Sequence, residues 1–207
     1  MKQLLLICAV VALVGGCAST PKVVPPTPKV IPNSPEAKAA IESEIRKRAN
    51  KPTGELTKVD LEKVRHFENH GTGVTDLKPL AGLKNVGYLL LEGNKITDMR
   101  PLAGMWRLDY LAISHNPITS LNGLEGLNRL RDLRIYDCQI TDLSPLAKLT
   151  SLRIIILNGN PINDLAPLAG LKGLRSIDLR RIPTLTKAEV DKLKKALPKC
   201  SIGSDFD

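Results

Sequence analysis

The side chains with the widest chemical repertoire in this chain are its cysteines and histidines, and their spacing argues against catalysis and metal binding. Cys8, Cys17, Cys138 and Cys200 form no CxxC pair and have no sequence neighbours of ligand type, so neither a zinc site nor a disulfide framework is suggested. His66 and His70 are four apart in a segment that alternates like a strand. Their backbone positions are then roughly 13 Å apart at ~3.3 Å per residue, too far for one shared ion. His115 stands alone. No serine–histidine–acid set, no paired catalytic carboxylates and no phosphate-cradling glycine loop occurs; the glycines fall in turns. The expectation is a protein with no cofactor and no catalytic residue, one that works by binding.

The residues suited to binding are spaced differently. Tyr88 and Tyr110 are 22 residues apart, and so are Arg131, Arg153 and Arg175 in succession. Phenol rings offer stacking area with a polar tip, and guanidinium groups offer forked donors for anions. A shared interval means that one structural unit is being repeated.

That unit is legible from the apolar residues. Val64, Val86, Leu108, Leu130, Leu152 and Leu174 recur every 22 residues. Three positions after each lies another apolar residue: Phe67, Leu89, Leu111, Leu133, Ile155 and Ile177. Two further on, five of the six units carry Leu91, Ile113, Ile135, Leu157 or Leu179. The ninth position holds Asn94, Asn116 and Asn160, with Thr72 and Cys138 as small polar variants. The LxL portion has strand periodicity with alternate side chains inward. Asn is suited to bonding the backbone where the chain leaves the strand, coil after coil. The return path, TDLKPLAGL from Thr75 and its kin, has Asp before a short turn and Pro three residues later, predicting short 3₁₀ segments. The third unit, with Ser120 and Gly123 in those places, predicts a looser turn.

The pattern LxxLxLxxNxI resembles bacterial internalin-type leucine-rich repeats of the 22-residue class, over Val64 to Leu179. The resemblance implies an α/β, right-handed solenoid with a parallel sheet on a concave, partner-binding face and short turns on the convex side. Apolar residues make up 43% of the 207 and aromatics only 3%, so its core must be aliphatic. A stack needs covers at its ends. Residues 35–63 are expected to form a helical N-terminal cap, with Ser34-Pro35 opening one helix and Thr57 with Asp60 opening another. Residues 64–185 form the six repeats, and 186–207 a helical C-terminal cap and tail opened by Thr186 and Glu189.

Positions three, five and seven of each unit point away from the core. They bring all three tyrosines, Tyr88, Tyr110 and Tyr136, to one sheet face with Leu90, Ser114, Arg134, Ile154 and Ile156. Tyr88, Leu90, Tyr110, Arg134, Tyr136, Ile154 and Ile156 are the expected contact residues for a protein or peptide partner. The plainer alternative is that they only favour a sheet. A second basic surface, Arg131, Arg153 and Arg175 extended by Arg180 and Arg181 toward the C-terminal lysines Lys187, Lys192, Lys194, Lys195 and Lys199, suits an envelope polyanion or cell-wall polysaccharide, in keeping with a net charge of +9.

The N-terminus reads as an address. Lys2, an apolar run from Leu4 to Val14, and Gly15-Gly16 form a signal peptide over 1–16. Val14-Gly15-Gly16-Cys17 resembles the bacterial lipobox, which implies acylation of Cys17 and anchorage to a membrane. Residues 17–34, with five prolines, read as a semi-stiff tether. The expected location is the bacterial cell envelope, with Ala18 favouring the outer membrane in a diderm cell. Export makes nucleic acid an unsuited partner.

Overall fold

The computed structural model describes residues 29–206. The apolar run, Cys17 and the tether as far as Pro28 lie outside the described residues.

Each 22-residue unit makes one coil, and its third to fifth positions form a strand of three residues. The strands are β1 (His66–Glu68), β2 (Tyr88–Leu90), β3 (Tyr110–Ala112), β4 (Asp132–Arg134), β5 (Ile154–Ile156) and β6 (Ser176–Asp178). They pair in parallel and in chain order, with no register slip: Phe67 opposes Leu89, Leu89 opposes Leu111, and so on to Ile177. The central residue of every strand is therefore buried, in one continuous core with the Val86 and Leu91 positions and their equivalents. No single coil can close this core, so stability arises from stacking.

The polar groups inside are paired coil to coil. Asn94 Oδ1 accepts from Val74 N–H, Asn116 Oδ1 from Ile96 N–H and Asn160 Oδ1 from Ile140 N–H, each at 3.0 Å. Their amide nitrogens donate to carbonyls of the preceding coil, Asn69, Leu91 and Ile135 respectively. Where the following coil has Cys138 or Ile182 instead of Asn, the waiting N–H turns back on its own coil: Ile118 N–H to Asn116 O, and Ile162 N–H to Asn160 O. On the return path Asp76, Asp98, Asp142 and Asp164 each accept from the N–H two residues on, opening 3₁₀ turns at Lys78–Leu80, Arg100–Gly104, Ser144–Leu146 and Ala166–Leu168. The third unit has no such turn. Its chain runs through Gly123 at φ 104, packed against the Met99–Arg100 backbone.

Both ends are capped. Helix α1 (Pro35–Ala49) starts on the Ser34 side chain and buries Ala37, Ile41, Ile45 and Ala49. Helix α2 (Lys58–Lys63) begins with a reciprocal Thr57–Asp60 capping box. Asn33, at the end of the segment read as a tether, is already docked: it accepts from Thr75 and Asp76 N–H and donates to Asp76 O. Helix α3 (Lys187–Ala196) covers the far end through Val190 and Leu193. The tail beyond it is not simply a tail. Residues Ser201–Gly203 form β7, a seventh strand among the described residues, parallel to β6 with Ile202 opposite Ile177. Its return path holds a helix, which breaks the 22-residue interval and hides the strand from a repeat count.

Candidate interaction surface

Because the strands are in register, the third position of each unit forms a straight column across the sheet. Three rings occupy its first half. His66 and Tyr88 are stacked with centroids 6.1 Å apart, and Tyr88 and Tyr110 at 6.0 Å with planes 28° apart. The Arg134 guanidinium lies 5.2 Å from the Tyr110 ring centre and is held there by Asp132, with Nε to Oδ1 at 3.2 Å. Tyr88 is 50% exposed although it has no core to enter. Tyr110 is half-buried, and that burial raises its phenol above the ordinary value. Leu90, Ile154 and Ile156 are half-buried on the same face.

The third tyrosine stands outside this column. Tyr136 follows β4 at the strand-exit edge, where its ring meets His115 edge-on at 4.9 Å. Its backbone N–H donates to Ser114 Oγ, and Ser114 is fully buried instead of outward-facing, since the chain there has already begun to turn inward. The face thus carries a stacked pair and one separate ring.

At its N-terminal end the face gathers ionic groups. His66 Nε2 and His70 Nε2 lie 3.5 and 3.4 Å from the two carboxylate oxygens of Glu68, and His70 Nδ1 lies 3.6 Å from Glu92. The backbone distance between the histidines is bridged by side chains leaning toward Glu68. Among the described residues, no group of three or more His, Cys, Asp or Glu is placed to hold a metal ion.

The basic residues divide between two edges. Arg131, Arg153 and Arg175 precede β4, β5 and β6 and share the strand-entry edge. Arg180 and Arg181 do not extend that row: they follow β6, at the opposite ends of the strands. There Arg180 pairs with Asp178 at 2.6 Å, holding that carboxyl below its ordinary range, and Arg181 pairs with Asp137 at 3.0 Å. Cys138 occupies the Asn-ladder position and burial pushes its thiol up to about 11, so it stays protonated and unreactive.

Fold and surface define a leucine-rich-repeat solenoid, a class of protein–protein interaction module. The family description "Leucine Rich repeats (2 copies)" matches residues 106–148 and 128–170. Among solved structures, an internalin (inlF) from Listeria monocytogenes is similar, with a TM-score of 0.62 and 25% identity over 82% of this chain and 56% of that one. Internalin C2 from the same bacterium gives a TM-score of 0.60 and 28% identity over 79% of this chain and 81% of that one. A leucine-rich-repeat protein from Leptospira interrogans shares the fold alone, with a TM-score of 0.50 and 21% identity over 71% of this chain and 51% of that one. No curated protein matches the chain. The matched residues carry leucine-rich repeats, and the fold is similar to that of bacterial internalins, although the chain spans only 56% of the first of those internalins.

Proposed function

We propose that the outer sheet face captures a protein partner, with Tyr88 and Tyr110 as anchors, Arg134 as the orienting charge and Leu90, Ile154 and Ile156 as the apolar surround. One observation carries the reading: two stacked phenol rings stand on a rigid, fully paired sheet, one of them half exposed, with no part in the core. Rigid aromatic side chains lose little entropy on binding, which is why they anchor interfaces. Tyr136 and His115 extend the contact to the strand-exit edge. The reading is of a protein that works by binding.

The N-terminal sequence supports a location. Signal peptide and lipobox-like residues through Cys17 favour export and acylation, with the solenoid held by its tether at the bacterial cell envelope, on the outer membrane in a diderm cell. The rival reading, an envelope polyanion or polysaccharide on the arginines, is weakened where Arg180 and Arg181 are each committed to a carboxylate.

A photo-crosslinking residue at position 90 tests the reading in intact cells, with one at Lys78 on the convex side as reference. A discrete adduct from position 90 and none from 78 supports capture by the sheet face. Adducts only from 78 move the interface to the convex side.

A further inference from the structure

The strand-entry edge carries a second surface, independent of the tyrosine face. In each coil the turn before the strand and the first residue after the buried Val/Leu position both emerge on this edge. The turns present Lys84, Arg107, Arg129, Lys148 and Lys172. The second positions add Arg65, Arg131, Arg153 and Arg175. Across the turns 82–85, 104–107, 126–129, 148–151 and 170–173 and those second positions, the carboxylate is Asp109, which pairs with Arg131 at 3.4 Å; the equivalent turn of the first coil adds Asp60, paired with Lys63, and the exposed Glu62. Arg65, Lys84, Arg129, Lys148 and Arg175 are exposed and make no ion pair among the described residues. This contrasts with the strand-exit edge, where each arginine has its own acid.

In the midst of these cations stands Trp106, 50% exposed, with the Arg107 guanidinium 4.5 Å from its ring centre. Trp106 fills no core position. A cationic strip alone is usually a solvated surface. A strip with an indole set into it has the two groups that a membrane interface takes: an amphipathic ring at the headgroup level, and long basic side chains that lay their stems on apolar ground with charges outward.

We infer that the strand-entry edge docks on an anionic membrane surface, its lysines and arginines against lipid phosphates and Trp106 at the headgroup boundary. In that pose the sheet face with Tyr88 and Tyr110 stands beside the bilayer, open to a partner.

Trp106 is the one tryptophan of the chain, so its fluorescence reports this edge alone, whatever the N-terminus does. The full chain is titrated with phosphatidylcholine vesicles with and without phosphatidylglycerol. The inference expects a blue shift with the anionic vesicles only, reversed at about 0.5 M salt, where charges are screened within a few ångströms. Replacing Lys84 and Arg129 together with Ala should weaken the transition about thirty-fold. Arg181→Ala, on the other edge, should leave it unchanged. The inference is overturned by an unshifted emission, by an equal shift with phosphatidylcholine alone, by equal weakening in Arg181→Ala, or by a shift with soluble polyphosphate and none with vesicles.

Discussion

Asn160 Oδ1 lies 3.0 Å from the backbone nitrogen of Ile140 in the coil before it, whereas the equivalent nitrogen of Ile118 faces Cys138 and bonds within its own coil. Cys138 makes only long contacts, its sulfur 3.9 Å from Ile113 O and 3.6 Å from Tyr136 O. An Asn there completes the ladder between coils three and five. Cys138→Asn should therefore raise stability by about 1–2 kcal/mol. Asn160→Ala, which takes the donor from the Ile135 and Leu157 carbonyls and leaves Ile140 N–H to turn back on its own coil as Ile118 does, should cost about 2 kcal/mol. Urea unfolding measures both. A destabilised Cys138→Asn would mean that the site is too tight for an amide.

The turn after each strand is left-handed in all six coils, with φ between 50 and 71 at Gly71, Gly93, His115, Asp137, Gly159 and Arg181. A side chain there costs about 1 kcal/mol. His115→Gly should thus stabilise the fold by about 0.5–1 kcal/mol, despite losing its contact with Tyr136. Gly123→Ala should do the reverse, by about 3 kcal/mol or more, because its Cβ would lie 2.7 Å from Arg100 Cα and Met99 O at a φ of 104. Unchanged denaturation midpoints in both would contradict the strain assigned here.

Those left-handed turns show where the sequence stops being readable. The buried columns and the Asn ladder follow from a 22-residue interval because burial leaves little choice of side chain, and Leu or Ile can be recognised wherever it recurs. At the left-handed position half the coils use Gly, but His115, Asp137 and Arg181 conceal the other half by tolerating a strained backbone. β7 escapes for another reason: Ser201-Ile202-Gly203 has a single inward apolar residue and follows a helix instead of a short turn. The tyrosine column was visible from spacing. Its division into a stacked pair and a Tyr136 ring set against His115 was not, since the bend that buries Ser114 depends on three-dimensional turn geometry. Trp106 carried the weakest signal, a lone aromatic in a turn, and gains meaning only from the cations that stacking brings beside it.

Acid should loosen the N-terminal cap first. Asp60 is buried, bonded by Lys63 at 2.8 Å and by Thr57, and these partners hold its carboxyl well below the ordinary 3.8. A carboxyl depressed in the folded state stabilises at full strength above its unfolded value, and that stability is lost as pH falls through the folded value. Stability should therefore decline as pH drops below about 4. Asp60→Asn should be less stable at neutral pH and should flatten that decline. An unaltered acid limb would assign it to Asp98 or Asp178, which Arg100 and Arg180 depress in the same way.

The central claim is that Tyr88 and Tyr110 serve a partner and not the fold. The direct measurement pairs two readouts on Tyr88→Ala/Tyr110→Ala: the amount of crosslinked partner recovered from intact cells, and the thermal midpoint of the purified protein. With Tyr88 half exposed and neither ring in the core, the midpoint should move by only a few degrees while recovery of the partner is lost. Full recovery of the partner with a lowered midpoint would contradict the account, making the stacked rings a strut of the sheet.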